Sequence, residues 1–172
     1  DSAAFFAPEL DVIAFPAWDC LPYDRASPAL SVSARRLAAL HRLQGKTSGP
    51  QLLVTTINAV LQRIATPFRI RENVRMLKPG MEIGRESLIG LLQRQGYSRT
   101  DTVADAGEYA VRGSIFDIYP SGLGSGLRLD FFGDELETLR LFDPNTQRSS
   151  GVAASHLLLP ASEALLADDT IT

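Results

Sequence analysis

Three positions of one strand-like segment carry the most suggestive side chains in this chain: Arg128, Asp130 and Phe132, within Leu127-Arg128-Leu129-Asp130-Phe131-Phe132. Side chains on a strand alternate faces. Leu129 and Phe131 therefore suit a core, and Arg128, Asp130 and Phe132 share the opposite face. A Phe between an Arg, an Asp and solvent is unexpected on a purely structural strand, and aromatic residues with Arg are typical anchors of protein interfaces. The plainer alternative stays open: another element covers Phe132, and Arg128 and Asp130 form an ordinary surface salt bridge. Arg112 precedes Gly113 inside another strand-like run. A glycine there suggests a bulge that turns Arg112 onto the face of Arg128, and a solvated Arg beside a bend is the alternative. Arg99, just after a predicted helix, falls at the rim.

Catalytic chemistry is harder to find. No Gly-x-x-x-x-Gly-Lys-Ser/Thr loop is present to cradle phosphates. His41 and His156 are far apart in sequence, whereas a metal site needs clustered ligands. Asp134-Glu135 superficially matches an acidic magnesium-binding pair, but Gly133-Asp134 reads better as a two-residue hairpin turn of the II′ kind. Cys20, the only cysteine, cannot form an internal disulfide and fits a reducing cytosol. It reads as a buried structural residue. From Val74 to Pro160 there are nine Lys and Arg against eleven Asp and Glu, so the arginine face is poorly suited to phosphates. Paired Arg and Asp suit a partner with complementary charges.

The elements that must position these residues fall into two halves. Hydrophobic residues make up 45% and charged residues 22% of the 172, the range of folded soluble domains. No apolar run is long enough to span a membrane. The opening residues do not form a signal peptide, and without an initiator Met the chain reads as an excerpt from a longer protein. In the first half, Val12 to Phe15 suits a buried parallel strand. Ser31 to Leu43 reads as a helix capped by Ser31 or Ser33, Gln51 to Thr56 as a strand, and Ile57 to Ile64 as a helix capped by Thr56. The strand-helix alternation predicts α/β architecture with a parallel sheet. The sheet lacks a first strand, so residues 1–73 read as a scaffold that borrows stability from elsewhere.

Near Val74 the pattern changes. Arg85 to Gln95 is predicted helical and closed by Gly96. Glu108 to Tyr119, Leu127 to Phe132, Glu135 to Phe142 and His156 to Leu159 are predicted strands. This is a small α+β module with an antiparallel meander.

Long segments of the chain also resemble a known family. Phe15-Pro16-Ala17-Trp18-Asp19-Cys20-Leu21-Pro22-Tyr23-Asp24-Arg25-Ala26-Ser27-Pro28, Gly107 to Pro120, Arg128 to Glu137 and Leu141 to Arg148 resemble, in order and spacing, the amino-terminal region of bacterial transcription-repair coupling factors (Mfd). The later segments are shared with the excision-repair protein UvrB, and the Trp18 to Pro28 segment is not. The resemblance implies a partial helicase-like (RecA-type) subdomain over 1–73 with a degenerate nucleotide fold, a UvrA-binding domain over 74–160, and the start of a returning subdomain over 161–172. It implies UvrA contacts at Arg112, Arg128 and Phe132, with Arg99 and Asp130 matching charged contacts of the UvrB form. Ala110 replaces one UvrB-type arginine, so that contact is lost. It further implies a non-catalytic, cofactor-free part of a cytoplasmic ATP-dependent DNA translocase. ATP, magnesium, DNA and RNA polymerase would engage domains outside this chain, and the UvrA-binding face would stay hidden until a stalled polymerase is engaged. The competing assignment is a fragment of a UvrB-type helicase or excision-nuclease subunit.

Overall fold

The computed structural model describes residues 5, 7–20, 27–46, 49–120 and 122–163. Most of the Leu21 to Ser27 stretch in the resembling amino-terminal segment therefore lies outside the described residues.

The first half contains β1 (Asp11–Phe15), α1 (Leu30–Leu43), β2 (Gln51–Thr55), α2 (Ile57–Leu61) and α3 (Pro67–Glu72). β1 and β2 pair in parallel, with Ile13 opposite Leu53. Ile13 and Phe15 pack with Ala39, Leu40, Ala59 and Ile70. This matches the expected α/β reading at the level of a parallel pair with helices. The expected serine cap is corrected: α1 starts one residue before Ser31, its cap position is Ala29, and no side chain caps it. The Ala29 N–H instead donates to Asp19 Oδ1 at 3.0 Å, while Ser33 is buried on the helix face. Thr56 does cap α2, accepting from the Ala59 N–H at 3.3 Å. α2 stops at Leu61, short of the expected Ile64. A second short helix follows, begun by Thr66 as cap and Pro67 in the first turn. That Thr-Pro pair is a recognisable helix start that the sequence reading missed. Cys20 is half-buried and free, not the buried residue expected.

The second half contains β3 (Arg75–Leu77), α4 (Arg85–Arg94), β4 (Ser98–Arg99), β5 (Glu108–Arg112), β6 (Ile115–Ile118), β7 (Gly126–Phe132), β8 (Glu135–Phe142), β9 (Ser149–Val152) and β10 (His156–Leu158). Strands β4 to β9 form one sheet in chain order. All its pairings are antiparallel except β4 with β5, which is parallel. Helix α4 packs Leu88, Leu91 and Leu92 onto one sheet face, against Tyr109, Phe116, Ile118, Leu127, Leu129, Phe131, Leu136 and Leu139. Each fully buried Leu of this kind contributes about 2 kcal/mol, so this face dominates the stability of the module. Gly96 follows the helix with φ +82°, as its position predicts.

The single strand expected over Glu108 to Tyr119 is instead two. Gly113 has φ +61° and, with Ser114, makes a hairpin turn between β5 and β6. Arg112 and Gly113 therefore mark a reversal, not a bulge. The register shifts in this sheet lie instead between β7 and β8, at Asp130/Phe131, and between β8 and β9, at Leu141/Phe142. Gly133, with φ +62°, opens the β7–β8 turn as anticipated.

β10 does not extend the meander. It pairs antiparallel with β3, Leu77 opposite His156, so the module's first and last strands close on each other. Tyr97, buried beside them, donates its hydroxyl to the Leu159 carbonyl at 2.8 Å, and burial pushes its pKa up beyond the ordinary tyrosine range. The chain then returns to the first half. The Ala161 N–H donates to the Gln95 carbonyl at 2.9 Å. Glu163 accepts from Arg36 Nε at 2.5 Å and from Trp18 Nε1 at 3.1 Å. Arg36 is fully buried, and its guanidinium lies 4.3 Å from the Phe15 ring centroid.

Candidate functional site

The sheet face opposite α4 carries the candidate residues, and strand register orders them into rows. One row runs Ala110, Asp117, Arg128 and Arg140 across β5 to β8. The next runs Arg112, Ile115, Asp130 and Thr138. Phe132 follows two residues beyond Asp130, paired with Glu135 beside the β7–β8 turn. Alternation thus places Arg128, Asp130 and Phe132 together as expected. Arg112 joins them through plain alternation from Ala110.

The two rows are organised by a residue that the sequence reading did not single out. Asp117 is only 1% exposed. Its Oδ1 accepts from Arg128 Nε at 2.7 Å, and its Oδ2 accepts from Arg128 Nη2 at 3.0 Å. Arg112 Nη2 also donates to Oδ2. A buried carboxylate needs such pairing, because desolvating an unpaired charge is costly. The Arg128–Asp130 surface pair is therefore corrected: Arg128 pairs across the strand with Asp117, and Asp130 accepts from the Ser114 hydroxyl at 3.0 Å. The hydrogen bonds that Arg128 donates to Asp117 raise its pKa, burial opposes this, and Coulombic attraction to Asp117 adds to the rise.

One end of this face is closed. Phe142, Val103 and Ala110 form a small buried cluster with Tyr119 packed beside it. Arg128 lies over the Phe142 ring, 4.9 Å from its centroid. Arg128 Nη1 also donates to the Gln147 carbonyl at 3.2 Å and to Ser149 Oγ at 3.4 Å. Gln147 has φ +59° and reaches the Val103 carbonyl with its amide at 2.8 Å, which ties the two covering loops together. Its turn begins at Asp143, which accepts from the Asn145 N–H and the Thr146 hydroxyl. Those bonds hold the Asp143 carboxyl below its ordinary pKa.

The other end is open. Phe132 is 80% exposed, so no element of the described chain covers its ring. The Arg112 side chain is 48% exposed and that of Arg128 only 19%. Arg99 stands apart. Its register partner is Tyr109, a core-side residue, which leaves Arg99 exposed at the sheet edge and out of the rows that contain Arg112 and Arg128. Asp134 occupies the β7–β8 turn, and His41 and His156 lie on different elements, α1 and β10. Among the described residues no group of three or more His, Cys, Asp or Glu is placed to hold a metal. No helix among them is long and apolar enough to cross a membrane.

An exposed aromatic ring, a half-exposed guanidinium and buried charge anchors can bind another protein surface. Residues 76–163 of the chain match the UvrB interaction domain family, half of its length. The chain belongs to that family. It is 40% identical over 153 residues to the transcription-repair-coupling factor of Haemophilus influenzae, covering 89% of this chain and 13% of the relative. The corresponding protein of Escherichia coli K12 is 36% identical over 146 residues, 85% of this chain and 12% of the relative. That of Myxococcus xanthus is 35% identical over 159 residues, 92% of this chain and 13% of the relative. The chain thus spans about an eighth of the length of these curated relatives, and the similarity reaches well outside the UvrB interaction domain into the parallel-sheet half.

Proposed function

We propose that the open end of this sheet face docks UvrA, and that the longer protein of which this chain forms part recruits UvrA to RNA polymerase stalled at DNA lesions. The observation that carries the reading is Phe132, a large apolar ring left in solvent beside arginines fixed by a buried Asp. Exposed aromatic and Arg groups of this kind concentrate binding energy in interfaces. UvrA as the partner follows from the resemblance to the coupling factors, which the family match and the relatives support. The contact set is Arg112, Arg128, Phe132 and Asp130, with Arg99 at the periphery.

The remaining expectations follow from the same reading. Residues 74–160 form the interaction domain, residues 1–73 a partial RecA-type subdomain without a working phosphate loop, and 161–172 the start of a returning subdomain. This part of the protein acts without a cofactor. ATP, magnesium, DNA and RNA polymerase engage other domains of a cytoplasmic translocase.

Calorimetric titration of the 172-residue chain with purified UvrA tests the proposal. Saturable binding at a 1:1 ratio of sites is expected. Absence of heat and of co-elution with UvrA overturns it. ATP turnover or salt-sensitive DNA binding by the chain alone would point instead to a UvrB-type helicase or nuclease subunit.

A further inference from the structure

We propose that Asp117 is the positioning residue of the docking face, and that Arg112 with Phe132, more than Arg128, presents the groups that meet the partner. This rests on the docking reading above and assigns roles within it.

The division follows from how each guanidinium is used. An Arg side chain has five N–H donors on three nitrogens. In Arg128 all three nitrogens are engaged inside the chain: Nε and Nη2 with Asp117, and Nη1 with the Gln147 carbonyl and Ser149. Its flat face rests on Phe142, and little of it is exposed. Such a group is part of the scaffold. Arg112 is attached by Nη2 alone. Its Nε and Nη1 have no partner among the described residues, and about half of its side chain faces solvent. It keeps donors to offer while one end is tethered.

The tether matters because a free Arg side chain loses rotamer freedom when a partner immobilises it, a cost set against binding. Asp117 removes part of that cost beforehand. It can do so because its carboxylate is buried, so the two guanidiniums compensate its desolvation and cannot easily leave it. Arg128, locked from the other side by Gln147 and Phe142, holds the carboxylate in place for Arg112. Replacing Asp117 by Asn keeps the volume but removes the charge and turns an N–H₂ toward two cations.

The test is surface-capture kinetics of the full 172-residue chain against UvrA, with thermal melts confirming that each variant is folded. Asp117→Asn is expected to raise the off-rate roughly tenfold. In an Arg112→Ala background the same substitution is expected to change the off-rate little, since Asp117 acts through Arg112. A folded Asp117→Asn variant that binds like the parent overturns the assignment. An equal off-rate increase in both backgrounds also overturns it, because that is what general loosening of the sheet would give.

Should Asp117→Asn melt below the assay temperature, Arg112→Lys and Arg128→Lys provide the measurement. Each keeps its charge and loses fork geometry. A larger off-rate for Arg112→Lys supports the assignment, and an equal or larger one for Arg128→Lys overturns it. A parent chain that does not bind UvrA removes the docking reading itself, and this assignment with it.

Discussion

The ring of Phe142 occupies the space above Gly126 where any other residue would place its Cβ. The two are cross-strand partners on β7 and β8, and the same ring supports Arg128 from below. Gly126→Ala is therefore expected to destabilise the module by about 1–3 kcal/mol through overpacking. Denaturant unfolding measures this. Combining it with Phe142→Leu should give less than the sum of the single effects, because the two sites share one volume.

Phe132→Ala separates binding from folding. The ring is largely in solvent, so its removal costs little core packing, and the melting temperature should stay within about 2 °C of the parent. Affinity for UvrA should fall by about 2 kcal/mol, the scale of a central aromatic anchor. Calorimetry on the folded variant checks both. Unchanged affinity would remove Phe132 from the contact set.

Arg36 joins the first half to the end of the described chain through Glu163, and Gln62 and the Pro16 carbonyl hold it within the first half. Removing one member of a buried pair strands the other, at a cost of about 3–5 kcal/mol. Arg36→Ala should show a loss of that order in denaturant titration. Burial already pushes the Glu163 pKa up, opposed by Arg36 and then Trp18, so Arg36→Met combined with Glu163→Gln should lose less than Arg36→Ala alone.

His156 gives the chain a pH dependence of definite sign. Burial lowers its pKa in the folded state, whereas an unfolded His titrates near 6.5. Above that value both states are neutral and the contribution to stability is complete. As pH falls through about 6.5, the unfolded chain takes up the proton first and stability declines. Melting temperatures measured from pH 7.5 down to 5.5 should fall, and His156→Gln should flatten the slope. A parent profile without a slope in that window would contradict this account of His156.

Much of the architecture was legible because it depends on local period. The Leu spacing of Arg85 to Arg94, the alternation of Leu127 to Phe132 and the Gly133-Asp134 turn each act over a few residues, and each appears where its pattern puts it. The shared face of Arg128, Asp130 and Phe132 follows from the same rule, since a strand reverses its side chains every residue whatever it packs against.

Asp117 was invisible for the opposite reason. Nothing in Ile115-Phe116-Asp117-Ile118 distinguishes a buried hub from a surface acid. The difference arises only when Gly113 reverses the chain and non-local register brings residues 112, 117 and 128 side by side. The same dependence explains why β4 and β9, short and weakly patterned, emerged only as neighbours of stronger strands. Local alternation thus decides which side of a strand a residue occupies. Which residue it faces there, and whether its charge is paired, is decided by strand register, because that requires segments distant in the chain to meet.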